Sequence, residues 1–190
     1  MDYKYLSVVF MVMFTLISLR PGLAQEEKKM SMENKDPVIA EFMGQVSFAQ
    51  GRLMDMANAI PADKYSWRPA EGIRSTGEIF RHVTLANYGF GKMAGLVPSE
   101  ESEEKPDMKK LEQSITDKEG VIQDLGKSFE SIKSTVGGLS PEDLNKQIQV
   151  FGMEMSVRNF VVTMLNHMHE HLGQSIAYAR MNGIAPPWSK

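Results

Sequence analysis

The chain has 190 residues and a formal net charge of -3, with 21 Lys and Arg against 24 Asp and Glu, and it contains no cysteine. The absence of cysteine excludes a disulfide framework, thiolate chemistry and a lipobox for lipid attachment. The mild acidity, with no Lys/Arg stripe interleaved with aromatics, argues against nucleic acid as a partner.

After a short start containing Lys4 comes the apolar run "YLSVVFMVMFTLISL", followed by "RPGLAQ" with the small residues Gly22 and Ala24. This is the layout of a secretory signal peptide over residues 1–24, cleaved between Ala24 and Gln25. The alternative is an uncleaved anchor, but the run falls short of the roughly 20 apolar residues that spanning requires. The expected mature protein is therefore secreted and soluble, with no stable membrane insertion after cleavage, and periplasmic if the source is a Gram-negative bacterium. About 165 residues remain, enough for one domain with a substantial core. Residues 25–35, "QEEKKMSMENK", are charged and aperiodic and read as a solvated linker into a domain over 36–190.

Asp36 is placed to cap a first helix with Pro37 in its first turn, where the missing N–H costs nothing. Ile39, Met43, Val46, Ala49, Leu53, Met56 and Ile60 then recur at spacings of three and four until Pro61. The loop "PADKYSWRPAEGIR" leads to a second helix, whose start is set by the capping-box spacing of Ser75 and Glu78 and which carries His82. Residues 97–106, "VPSEESEEKP", read as a surface connection. A third helix is expected from near Leu111, or from a cap at Thr116, to Val136, ended by Gly137 and Gly138. In "KQIQVFGMEM" some alternation suggests an extended or hairpin segment. Ser156 caps a last helix through "VRNFVVTMLNHMHEHLGQSIAYARM", stopped by Asn182-Gly183 and Pro186-Pro187. Four helices with little strand signal predict an all-α protein, a four-helix bundle.

Three of the four histidines fall in "NHMHEHLGQ". Because this stretch lies inside a helix of about 25 residues, at about 100° per residue His167 and His171 fall about 40° apart and His169 almost opposite. Phe160, Met164, Gln174 and Tyr178 share the sector of His167, so the pair borders the buried face. Two imidazoles at i and i+4 can aim at one point, as in the helical half of a metal site; a pair of core or boundary histidines is the alternative. The remaining histidine, His82, lies on a stripe with Ile79, Ala86, Gly89 and Met93, and inward positions on different helices of a bundle converge. Three neutral imidazoles around a divalent ion would leave a coordination position open.

Around that centre, Glu78 stands one turn before His82, where it could accept from the ring's other nitrogen, although the capping box also uses it. Gln174 and Tyr178, one and two turns beyond His171, are placed to hold water or substrate. Glu170 reads as a solvated carboxylate, and Trp67 and Trp188 as anchors for the loop and the tail. No further catalytic side chain is identifiable.

The chain resembles the DinB family, also called DinB/YfiT-like. "YSWRPAEGIRSTGEIFRHV" looks like that family's W-x-P-x-x-x-x-x-S loop running into a helix with its histidine. "HMHEHLGQ" matches H-x-x-x-H-x-G-Q, and "YARMNGIAPPWS" is like the family's ending. The resemblance implies a four-helix bundle in which His82, His167 and His171 bind a divalent metal ion, variously zinc, nickel, iron or manganese. It implies either metal-dependent hydrolysis or transfer of low-molecular-weight thiols such as bacillithiol or mycothiol, on a small-molecule substrate that it does not name. A different class of function is a periplasmic copper-binding protein using the soft donors of "MLNHMHEH". A third is an inert helical bundle, with a homodimer as a further expectation because bundle faces pair readily.

Overall fold

The computed structural model describes residues 36–96, 107–114 and 117–189. The expected signal peptide, its cleavage site, the charged linker, the connection over 97–106 and the Thr116 cap lie outside the described residues. The described residues form six α-helices, four of them long, and one hairpin: α1 Pro37–Ala59, α2 Thr76–Met93, α3 Met108–Gln113, α4 Lys118–Gly137, α5 Pro141–Asn145, β1 Gln147–Val150, β2 Met153–Ser156 and α6 Val157–Met181, with short 3-10 turns at Ala62–Lys64 and Pro187–Ser189. No described helix is long and apolar enough to cross a membrane.

Local chemistry sets the ends. The Asp36 carboxylate accepts from the Val38 N–H at the start of α1, and Ser75 and Glu78 form the reciprocal capping box of α2. Such a cap contributes about 1 kcal/mol to its helix. The buried stripe of α1 is Ile39, Phe42, Val46, Ala49, Leu53 and Met56; Phe42 takes the inner position expected for Met43, which packs at the edge of the core. The third helical segment is not continuous. Asp107 caps α3 through the Lys110 N–H and Asp117 caps α4 through the Gly120 N–H, so two side-chain caps start two helices where one was expected. The hairpin turns at Phe151 and Gly152, both at positive φ (54° and 75°), as a two-residue loop of the primed type requires. It pairs Val150 with Met153 and Gln147 with Ser156.

In the bundle, α1 packs against α4 and α6, and α2 packs against the same two. The order around the bundle is therefore α1, α4, α2, α6, and the chain-consecutive α1 and α2 sit on a diagonal. Cross-helix bonds give the directions. Asp36 with Arg158 and Phe48 with His169 make α1 and α6 parallel, and His82 with His167 and Phe90 with Phe160 make α2 and α6 antiparallel. One apolar core fills the interior, with Phe42, Phe80, Phe90, Phe129 and Phe160 among its largest wholly buried side chains. Burial of each such ring contributes about 1.5–3 kcal/mol, ample to hold a polar cluster at one point of the α2/α6 seam.

Candidate metal centre

His82 enters from the middle of α2, one turn past Glu78, and His167 and His171 enter from α6 one turn apart. Their ligand-capable nitrogens all lie within 4.8 Å of one another. The rings are inclined, at 55° between His82 and His167, 74° between His82 and His171 and 77° between His167 and His171, so edges and not faces converge. His171 is buried and the other two are half-buried. His169 points away, exposed, and stacks on Phe48 of α1.

Partners outside the cluster determine which nitrogen of each ring is free. His82 Nδ1 lies 2.6 Å from Glu112 Oε1. His171 Nδ1 lies 2.8 Å from Gln174 Oε1, whose amide nitrogen in turn donates to the Tyr178 hydroxyl. Both acceptors require the proton on Nδ1, which leaves the Nε2 lone pairs of His82 and His171 free. His82 Nε2 and His167 Nε2 stand 2.9 Å apart, close enough that the pair must share either one proton or one cation. The shared proton leaves His167 Nδ1 bare, and that buried atom has no hydrogen-bond partner. Two nitrogens bound tetrahedrally to one ion at ordinary imidazole distances stand about 3.3 Å apart, so a small opening of this contact would admit a divalent cation.

Electrostatics keeps the imidazole lone pairs available. Burial first, and then the neighbouring His171 and His82 rings, hold the His167 imidazole far below its ordinary range, at about 3. Burial also lowers His171, against a smaller upward pull from its bond to Gln174. These two rings are neutral near pH 7 and present lone pairs without first losing a proton. Burial pushes the Glu112 carboxyl up, but the hydrogen bonds from Arg74 and His82 outweigh it, and the net shift is downward. Arg74 grips this carboxylate with two bonds, Nε to Oε2 at 2.7 Å and Nη2 to Oε1 at 3.1 Å.

The residues anticipated around the centre divide. Gln174 and Tyr178 stand beside His171 as described, with Trp67 edge-on to Tyr178 at 5.3 Å. Glu78 does not reach His82: one oxygen accepts from the Ser75 N–H and the other pairs with Arg68. The carboxylate on His82 belongs to Glu112 instead, which arrives from α3. Sequence reasoning missed Glu112 and Arg74. An acidic residue in "MKKLEQ" has no local mark of burial, and the only signal for Arg74 is its place inside the W-x-P-x-x-x-x-x-S stretch, immediately before the Ser75 cap. Glu170 is exposed. Trp188 is held in the tail by Arg52 of α1, whose guanidinium lies 4.2 Å from its ring centroid.

Comparison with known proteins bears on the fold and the family. The uncharacterized protein YjoA of Bacillus subtilis (strain 168) is 26% identical over 133 residues, covering 68% of this chain and 80% of that protein. A solved DinB-like protein from Bacillus cereus ATCC 10987 is similar in fold, with a TM-score of 0.60 at 19% identity over 77% of this chain and 93% of that one. YfiT from Bacillus subtilis, described as a probable metal-dependent hydrolase with an unusual four-helix bundle topology, has a TM-score of 0.64 at 12% identity over 77% and 89%. At those identities the structural likeness shows the fold. The model of the DinB family, however, matches residues 30–190. A match of that length takes in all four long helices and each of the three clustered histidines, and the chain belongs to the DinB family.

Proposed function

We propose that this protein is an exported metal-dependent enzyme of hydrolytic type, acting on a small molecule at a centre formed by His82, His167 and His171. The observation that carries the proposal is the convergence of three imidazoles in a group that, among the described residues, ends at three ligands. A closed structural site would use four protein ligands, whereas three leave a position for chemistry. A zinc, nickel, iron or manganese ion held there would supply Lewis acidity near neutral pH.

The chain's own residues do the rest. Glu112 and Gln174 hold the Nδ1 protons of His82 and His171 and so keep their Nε2 atoms directed inward. Tyr178, backed by Trp67, holds the far end of the Gln174 amide. Two considerations favour hydrolysis over thiol transfer. YfiT, similar in fold, is described as a probable metal-dependent hydrolase. The signal-peptide pattern of residues 1–24 would also carry the enzyme out of the compartment where reduced low-molecular-weight thiols are abundant. Copper carriage has less support, because Met164 and Met168 belong to the apolar core, where flexible thioethers fill space.

The test is elemental mass spectrometry of the mature protein, purified without added metal from its native compartment, beside the His82→Ala variant. Near-stoichiometric zinc, nickel, iron or manganese that disappears in the variant is expected. Copper in the wild type would instead make the protein a carrier. Absence of metal from both would reduce the three histidines to core packing.

A further inference from the structure

We propose that Glu112 is the positioning residue for His82, with Arg74 as its clamp, so that the short helix α3 completes a centre whose ligands come from α2 and α6. This rests on the metal-centre reading above. A neutral imidazole carries its proton on either nitrogen, and only the Nδ1–H form of His82 directs a lone pair from Nε2 into the cluster. The Glu112 side chain is 8% exposed and accepts from His82 Nδ1 at 2.6 Å, which selects that form and fixes the rotation of the ring. A carboxylate free to turn would fix nothing. Arg74 occupies both oxygens, and the preceding residue, Ile73, is itself tied down through its carbonyl by Arg68.

The three ligands are thus supported unequally. His82 is held by an ionised, doubly clamped carboxylate. His171 is held by the neutral amide of Gln174, and buried His167 Nδ1 has no hydrogen-bond partner. Charge-assisted hydrogen bonds are about twice as strong as neutral ones, so the contact whose loss matters most is predicted to be Glu112 and not Gln174. The same carboxylate explains what α3 is for. Leu111 is only half-buried and Met108 is exposed, so the most buried side chain of this helix is an acid, placed against an imidazole and a guanidinium.

The experiment titrates the metal-free full chain with zinc(II), in competition with a chromophoric chelator, for wild type, Glu112→Ala, Glu112→Gln, Arg74→Ala and Gln174→Ala. Alongside it, ring-nitrogen NMR of the metal-free proteins reads the His82 tautomer. Glu112→Ala is expected to weaken zinc binding by about 10–100-fold and to turn a single Nδ1–H tautomer of His82 into a mixture. Glu112→Gln keeps an acceptor and should lose less, with Arg74→Ala between them and Gln174→Ala smallest. Zinc binding by Glu112→Ala within twofold of wild type, with the His82 tautomer unchanged, would overturn the proposal and leave the metal centre standing. If wild type takes up no zinc, the metal-centre reading fails, and the tautomer measurement alone decides whether Glu112 positions the ring. Should Glu112→Ala not fold, Glu112→Gln and Arg74→Ala carry the same two readouts.

Discussion

The seam between α2 and α6 is built in two ways along its length. At one end Phe90 stacks on Phe160, ring centroids 5.1 Å apart and planes 5° from parallel, both rings wholly buried. At the other, His82 meets His167 and His171 at 4.9 and 4.7 Å. The separations are nearly equal and the chemistry is opposite. The phenyl pair needs nothing beyond the apolar area it removes from water. The imidazole end draws on Glu112 from α3, Arg74 from the loop and Gln174 from the next turn of α6, and still has an unpartnered nitrogen. A buried polar group without a partner costs about 1–3 kcal/mol, so this end gives up stability that the phenyl end keeps.

The comparison can be broken or sharpened in four ways. The largest effect is expected from His171→Ala at the polar end: metal retention is abolished while the helical circular dichroism is kept, and His169→Ala, on the outer face against Phe48, retains the wild-type metal content. Elemental analysis of the two purified variants decides it, and retention by His171→Ala would remove the three-histidine centre. Next, Phe160→Ala at the dry end should cost about 3–5 kcal/mol of stability, measured by urea unfolding in chelator. The folded fraction should keep its zinc affinity within twofold; a collapse of that affinity would mean that the two ends are one unit.

Third, adding metal should stabilise the protein, by about 2.7 kcal/mol when the free ion is at 100 times its Kd. Thermal melts with and without chelator test this, and coincident melts would speak for an inert bundle. The smallest effect concerns pH. In the metal-free protein His167 and His171 have folded pKa values below the ordinary 6.5, so in mildly acid solution the unfolded chain binds the extra protons. The contribution of these residues is therefore fully present above about pH 6.5 and is lost as the pH falls toward the folded values, reaching about 3 for His167. Urea midpoints across that window should fall with pH in wild type and less steeply in His167→Gln.

Much of this architecture was legible in the chain because its signals are local. Asp36 with Pro37, Ser75 with Glu78, and Ser156 announce helix starts through their own side chains, and each is found capping the helix it precedes. The expected hairpin forms where a positive-φ glycine follows Phe151. The 3.6-residue period alone separated His169 from its neighbours, since a helix of 25 residues leaves no choice about which of three alternate residues share a face. The break between α3 and α4 was harder to see. Two aspartate caps ten residues apart, Asp107 and Asp117, compete with an amphipathic pattern that by itself continues.

What the sequence determined by itself was therefore helix, cap, stripe and the inward direction of His82, His167 and His171, because backbone hydrogen bonding and side-chain period act within a few residues. Only the tertiary structure decided which carboxylate serves His82. Glu78 is four residues away, but its oxygens are taken by the Ser75 N–H and by Arg68; Glu112 is thirty residues away and makes the bond. A hydrogen bond is satisfied by the acceptor that packing delivers to within about 3 Å, and that delivery depends on how α3 lies against α2, which no spacing along the chain records.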